Sequence, residues 1–151
     1  MTRLALLPLA ALALGAGAPA PAPAKEGANV VVTVTNLRNA NGVVLACMTT
    51  AEKSFPKCRG VAGVHAVKMA AHEGKLTLIF EDVTPGRYAI ALLHDENGNG
   101  KADRALGMMP KEGFGFSRDA PVRMGPPSFS DAVFDIGKTD QAMTIRMRYM
   151  L

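Results

Sequence analysis

The chain has 151 residues, of which 20% are charged and 48% hydrophobic, with a formal net charge of +4 at pH 7. That length suits a single domain, and that composition belongs neither to a disordered acidic chain nor to a fibrous repeat. Aromatic residues are only 5% and Trp is absent. This excludes an aromatic carbohydrate platform or a stacking surface for single-stranded nucleic acid, and no basic stripe or module for nucleic acid is visible.

The chain opens with Met1-Thr2-Arg3, followed by an almost unbroken apolar run over residues 4–16 and a tail of small residues ending in Ala22-Pro23-Ala24. A short cationic start, an apolar middle and a small-residue end form the secretory signal pattern. The run is too short for a comfortable membrane span, which needs roughly 20 residues. Proline directly after a scissile bond is a poor cleavage context, and Pro19 follows Ala18 while Pro21 follows Ala20. Cleavage is therefore expected after Ala24, giving a signal peptide over 1–24 and a single β-sandwich domain over 25–151. No Cys near that point supports a lipid anchor, and no later apolar stretch approaches spanning length. The expected location is periplasmic or secreted, without a membrane span, and the mature chain stays mildly basic.

Short runs of β-formers separated by turn residues dominate the mature chain. Residues 29–37 contain Val30, Val31, Val32, Thr33, Val34 and Thr35. Asn41-Gly42 is a hairpin cue, leading to a second strand over 42–49. A weaker strand comes next over 64–70, then 75–80, where Leu76, Leu78 and Phe80 alternate. Residues 87–94 are apolar on both faces, the pattern of a central strand. Further strands are expected over 130–136 and 141–150. Seven strands predict an all-β fold, an antiparallel seven-stranded β-sandwich of immunoglobulin-like or transthyretin-like type. Residues 95–129 do not fit a strand pattern. They hold Phe114, Phe116 and Phe129, so they are expected to pack back on the sandwich as a long ordered loop.

Cys47 and Cys58 are the two cysteines. In an exported chain they read as a structural disulfide, ahead of a redox pair, whose Cys-x-x-Cys spacing is absent, or a zinc site, for which His65 and His72 give weak support.

The long loop opens with His94-Asp95-Glu96-Asn97-Gly98-Asn99-Gly100-Lys101-Ala102-Asp103. Calcium takes six to eight oxygens, and alternate residues of a tightly turning loop can all point inward. Asp95, Asn97, Asn99 and Asp103 offer side-chain oxygens at such spacing, Lys101 a backbone carbonyl, and Gly100 the sharp bend. The twelfth position, where an EF-hand has a bidentate Glu, is Leu106, so Glu112 or a carbonyl would complete the shell. Few carboxylates imply weak affinity, on the order of 10⁻⁴–10⁻³ M. The competing reading is a turn whose Asn and Asp side chains cap their own backbone.

This run, together with Gly107-Met108-Met109-Pro110-Lys111-Glu112-Gly113-Phe114-Gly115-Phe116-Ser117, resembles the signature of the bacterial exported domain-of-unknown-function family 2141. Pro85-Gly86-Arg87-Tyr88-Ala89 before it and Pro127-Ser128-Phe129 with Asp131-Ala132 after it match as well. Met109 stands where Ile is expected and Phe114 where Tyr is common. The resemblance spans about residues 29–150. It implies an exported single-domain β-sandwich and brings no established activity.

Other candidates have plainer readings. Phe114 and Phe116 form either a packed segment or a binding lip. Ser117 lacks the Gly-x-Ser-x-Gly setting of a nucleophile. The alternating Met143 and Met147 fit a core face better than copper ligation. The expected function is a non-catalytic exported module, structural or binding, with a calcium-stabilised loop. The alternatives are a metal-assisted hydrolase using His94, Asp95 and Glu112, or a carrier of a small apolar ligand. An envelope component or such a ligand would be the partner.

Overall fold

A computed structural model describes residues 19–20 and 26–151. Apart from residues 19 and 20, the leader expected over 1–24 lies outside the described residues.

The valine-rich run forms β1 (Ala28–Leu37), with Ala28, Val30, Val32 and Val34 turned inward and buried. Asn36 adopts φ 63°, and the register shifts there, so Leu37 enters the core out of phase with the valines. In β4 (Gly74–Val83), Leu76, Leu78 and Phe80 are buried, and Asp82 at φ 49° brings Val83 inward by the same device. β1 lies between β4, antiparallel to it, and β10 (Gln141–Arg146), parallel to it.

The second sheet has the order β3 (His65–Ala70), β2 (Val43–Thr49), β5 (Gly86–Asp95), β8 (Gly113–Phe116). The three-residue strand β9 (Phe134–Ile136) pairs with the start of β5. Inward side chains of both sheets meet in one core: Val30, Val32, Val34, Leu78, Phe80 and Ile145 from the first, Val44, Met48, Tyr88, Ile90 and Leu92 from the second. Each fully buried aliphatic or aromatic side chain of this kind stabilises by about 1.5–3 kcal/mol. The opposite face of β5 is covered too. Ala89 and Ala91 pack with Phe116, Phe129, Val133 and Phe55 in a smaller core, as a strand apolar on both faces requires.

The all-β reading therefore holds, with several antiparallel pairings, but the details differ from expectation. The described residues contain ten strands rather than seven, and the β1–β10 pair is parallel. The turn at Asn41-Gly42 exists, with Gly42 at φ 64°. It carries the chain from one sheet to the other instead of joining a hairpin, because β1 and β2 never pair. Residues 130–136 are not one strand: the short helix α1 (Phe129–Ala132), closed by a Ser128–Asp131 capping box, precedes β9. The long segment after β5 is built from β6 (Arg104–Ala105), β7 (Met109–Pro110), β8 and a 3-10 turn at Ser117–Asp119.

The alternating motif Gly113-Phe114-Gly115-Phe116 is explained by its place between two cores. A Cβ on Gly113 would lie 2.3 Å from the Tyr149 ring, and one on Gly115 would lie 2.9 Å from Ile145. The glycines let β8 close on the last strand, while Phe114 and Phe116 turn to the smaller core. No helix among the described residues is long and apolar enough to cross a membrane.

Candidate functional site

β5 ends by delivering His94 and Asp95, both buried, to one end of the molecule. His94 Nε2 lies 2.9 Å from the Asn41 carbonyl oxygen, and Nδ1 lies 2.7 Å from the Tyr149 hydroxyl. The carbonyl can only accept, so the network assigns the proton to Nε2 and makes Nδ1 the acceptor from Tyr149. The Tyr149 hydroxyl accepts in turn from the Arg38 backbone N–H at 3.2 Å. Burial, and then the nearby Glu96 charge, hold the Tyr149 hydroxyl above its ordinary pKa.

Glu96 is bound by Arg38 in a bidentate pair, with Nε 2.9 Å from Oε1 and Nη2 on Oε2, and accepts from Asn39 Nδ2 at 2.6 Å. The Arg38 hydrogen bond holds the Glu96 carboxyl below the usual carboxylate range. The same guanidinium sits 4.5 Å over the Tyr149 ring and donates to the carbonyls of Lys111 and Leu151.

The loop beyond closes largely on itself. Asp95 accepts from the backbone N–H groups of Asn99 at 3.1 Å and Gly100 at 2.7 Å. Asn97 and Asn99 each accept from a backbone N–H two residues on, those of Asn99 and Lys101. Both amides also donate to Asp103 Oδ2, at 2.7 and 2.8 Å. Gly98 and Gly100, at φ 70° and 72°, permit this winding. Arg59, next to the disulfide, donates to the Gly100 carbonyl.

Glu112 is the exception. The β6–β7 hairpin returns the chain so that Lys111 N–H bonds the Asp103 carbonyl at 2.9 Å. Glu112 Oε2 then accepts the Asp103 N–H at 3.0 Å. The residue is 5% exposed, and its Oε1 is buried with no hydrogen-bond partner. Burial raises its carboxyl above the ordinary range, opposed by the Asp103 amide and reinforced by the charges of Asp103 and Asp95. The amide of Glu96 pulls more weakly the other way, without a hydrogen bond to Oε1. A cleft of about 440 Å³, lined in part by Arg38, Glu96, Asp103 and Glu112, opens beside it.

Of the expected ligands, Asp95, Asn97, Asn99 and Asp103 come together, joined by hydrogen bonds. Lys101 is exposed, with its N–H on Asn99. No group of three or more His, Cys, Asp or Glu among the described residues is gathered closely enough to hold a metal ion as it stands. Cys47 and Cys58 form the expected disulfide, Cα atoms 6.1 Å apart. Phe116 is buried and Phe114 half-buried in the smaller core, so these rings pack the interior rather than edge an opening. Ser117 Oγ is buried, accepting from Ile90 N–H at 2.9 Å and donating to the Ala132 carbonyl at 2.6 Å. Sequence reasoning missed Arg38, Asn41 and Tyr149 as partners of this end. Only the polar tip of Tyr149, on an otherwise apolar face, hinted at a buried hydrogen bond.

Residues 32–144 match the family described as an uncharacterized protein conserved in bacteria, domain-of-unknown-function family 2141, and the chain belongs to that family. No curated protein and no solved structure matches it.

Proposed function

We propose that this protein is an exported, non-catalytic module of immunoglobulin-like or transthyretin-like sandwich design, periplasmic or secreted, with a structural or binding role. In this reading the loop of residues 95–112 takes up a calcium ion. The disulfide supports an oxidising compartment. Two sealed groups support the non-catalytic reading: His94 is buried with both ring nitrogens occupied, and the Ser117 hydroxyl both donates and accepts inside the fold. These weigh against a hydrolase built on His94. The packing of Phe114 and Phe116 weighs against an apolar carrier.

The observation that carries the calcium reading is the unpartnered Oε1 of Glu112. Leaving a buried carboxylate oxygen unsatisfied is costly. A cation drawn in beside Glu112 would satisfy it, provided the loop tightens to bring Asp95 and Asp103 to the ion, since the three acids are not gathered closely enough as they stand; oxygen ligands suit a hard divalent ion. Lys101 would give its carbonyl, and Asn97 and Asn99 would turn their oxygens from the backbone to the ion. The test is calorimetric titration of the chelated protein with calcium. Wild type is expected to bind one ion, and magnesium much more weakly. Asp95→Asn and Asp103→Asn are each expected to abolish the heat while the protein stays folded. No calcium heat in wild type would leave the loop as a self-capped turn.

A further inference from the structure

We propose that the tip of the β6–β7 hairpin inserts shallowly into the surface of an anionic phospholipid bilayer. This goes beyond the calcium reading and does not rest on it, since the hairpin is held by its own backbone pairing.

The turn is unusual in its chemistry. Ala105 and Met108 close it, with Met108 N–H on the Ala105 carbonyl at 3.2 Å. Its central residues, Leu106 and Gly107, have φ 51° and 75°. Positive φ at both central residues of a β-turn, here inside a three-residue hairpin loop, calls for Asn, Asp or Gly. A large apolar residue at the first position is strained, and here it is also unburied. Leu106 is 96% exposed, Met108 81% and Met109 40%. A Cβ on Gly107 would meet nothing within 4 Å, so the tip stands clear of the fold. Nothing in the interior explains why a strained position should hold a leucine.

The surroundings specify the surface it suits. Arg104 lies exposed on the hairpin two residues before Leu106, and Lys111 at its base and Lys101 just before it are exposed as well. The only acid from residue 97 to 111, Asp103, is turned to the Asn97 and Asn99 amides. An apolar knob in a collar of cations matches an anionic bilayer, where aliphatic side chains enter the acyl boundary and Lys or Arg stay at the headgroups. Two flexible methionines suit such a fluid partner.

The experiment is co-sedimentation of the exported protein with vesicles of equimolar phosphatidylglycerol and phosphatidylethanolamine, in chelator and again in calcium. Vesicles of phosphatidylcholine alone serve as the neutral comparison. Wild type is expected to bind the anionic vesicles in chelator, and to be released at about 0.5 M salt. L106D/M108D is expected to bind about tenfold less, and R104Q about fivefold less. Leu106→Gly separates this role from a structural one: it relieves the positive-φ strain, so the melting temperature should rise while vesicle binding falls. Three outcomes would overturn the proposal: no binding of wild type at low salt, equal binding by L106D/M108D, or tip-dependent self-association that leaves vesicles untouched. Because the lipid arm is read in chelator and calcium titration without lipid, either idea can fail without the other.

Discussion

Replacing Glu112 with Gln should change the sign of the mutation's effect between chelator and calcium. In chelator the native state holds a carboxyl whose charged form is disfavoured, first by burial and then by Asp103 and Asp95. A carboxyl raised above its unfolded value contributes stability that is full below that unfolded value, about 4.3, and is lost as pH rises through the folded value. Glu112→Gln removes this loss and keeps an oxygen to accept the Asp103 N–H. In chelator near neutral pH it should therefore melt at or above wild type, with the advantage growing as pH rises from about 4. If the loop takes up calcium as proposed, calcium should reverse the order. A native-state ligand tenfold above its Kd adds about 1.4 kcal/mol, which millimolar calcium reaches for a Kd of about 10⁻⁴ M. For a domain of this size that is a rise of about 5 °C in Tm for wild type. The variant, lacking the third carboxylate, should gain little. The calcium increment of wild type should also grow with pH through the same window, since the ion needs the ionised form. Thermal melts across that range in chelator and in calcium read both effects. An equal calcium gain in wild type and variant, or a chelator difference that is flat with pH, would refute the reasoning.

Gly113→Ala should cost about 1–3 kcal/mol by overpacking, because the new methyl meets the Tyr149 ring at 2.3 Å; denaturant unfolding within 0.5 kcal/mol of wild type, about the scatter of an ordinary surface change, would show that the C-terminal segment yields freely. The Cys47–Cys58 bond spans a sequence separation of 11, and replacing both residues with Ala should cost about 3 kcal/mol. If the chain is exported as proposed, mass spectrometry of protein recovered from the periplasm or medium should find both thiols blocked, and free thiols there would end the disulfide assignment in the cell.

Strand positions were legible where period-two patterning met burial. The alternation in Leu76, Leu78 and Phe80 and the double-sided apolarity of β5 correspond to one and two covered faces. Pairing was not legible. Asn41-Gly42 states that the chain turns but not which sheet receives it, and the decision rests on long-range partners: Asn41 O against His94, Asn39 and Arg38 against Glu96. Leu37 and Val83 enter the core only through the positive-φ residues Asn36 and Asp82, which a strict alternation misses. The loop oxygens were visible as a spacing, and their residues do lie together, but the Asn97 and Asn99 oxygens face the backbone while their amide nitrogens face Asp103. The hydrogen-bond partners of those oxygens were not visible, because a backbone N–H two residues away competes for each Asn oxygen whatever else the loop binds.

The departure from the EF-hand pattern and the exposed hairpin tip are the same piece of chain. Counting from Asp95, the twelfth position is Leu106, and it points away from the loop at the apex of β6–β7. The hairpin adds a detour between Asp103 and Glu112, and Lys111 N–H on the Asp103 carbonyl closes it at the base. A carboxylate thus returns to Asp103 from farther along the chain, while the residue that displaced it is carried outward. Below, Arg38 ties the loop base to the C-terminal segment through Glu96, Lys111, Tyr149 and Leu151, and His94 is locked between Asn41 and Tyr149. Such a base fixes Asp95 and Glu112 against the body of the protein. The two proposals use the loop in opposite directions, inward at the Glu112 oxygen and outward at the hairpin tip. Substitutions at Leu106 should therefore leave calcium titration unchanged, and substitutions at Glu112 should leave vesicle binding in chelator unchanged. Coupling between the two would mean that the hairpin base is less rigid than its hydrogen bonds imply.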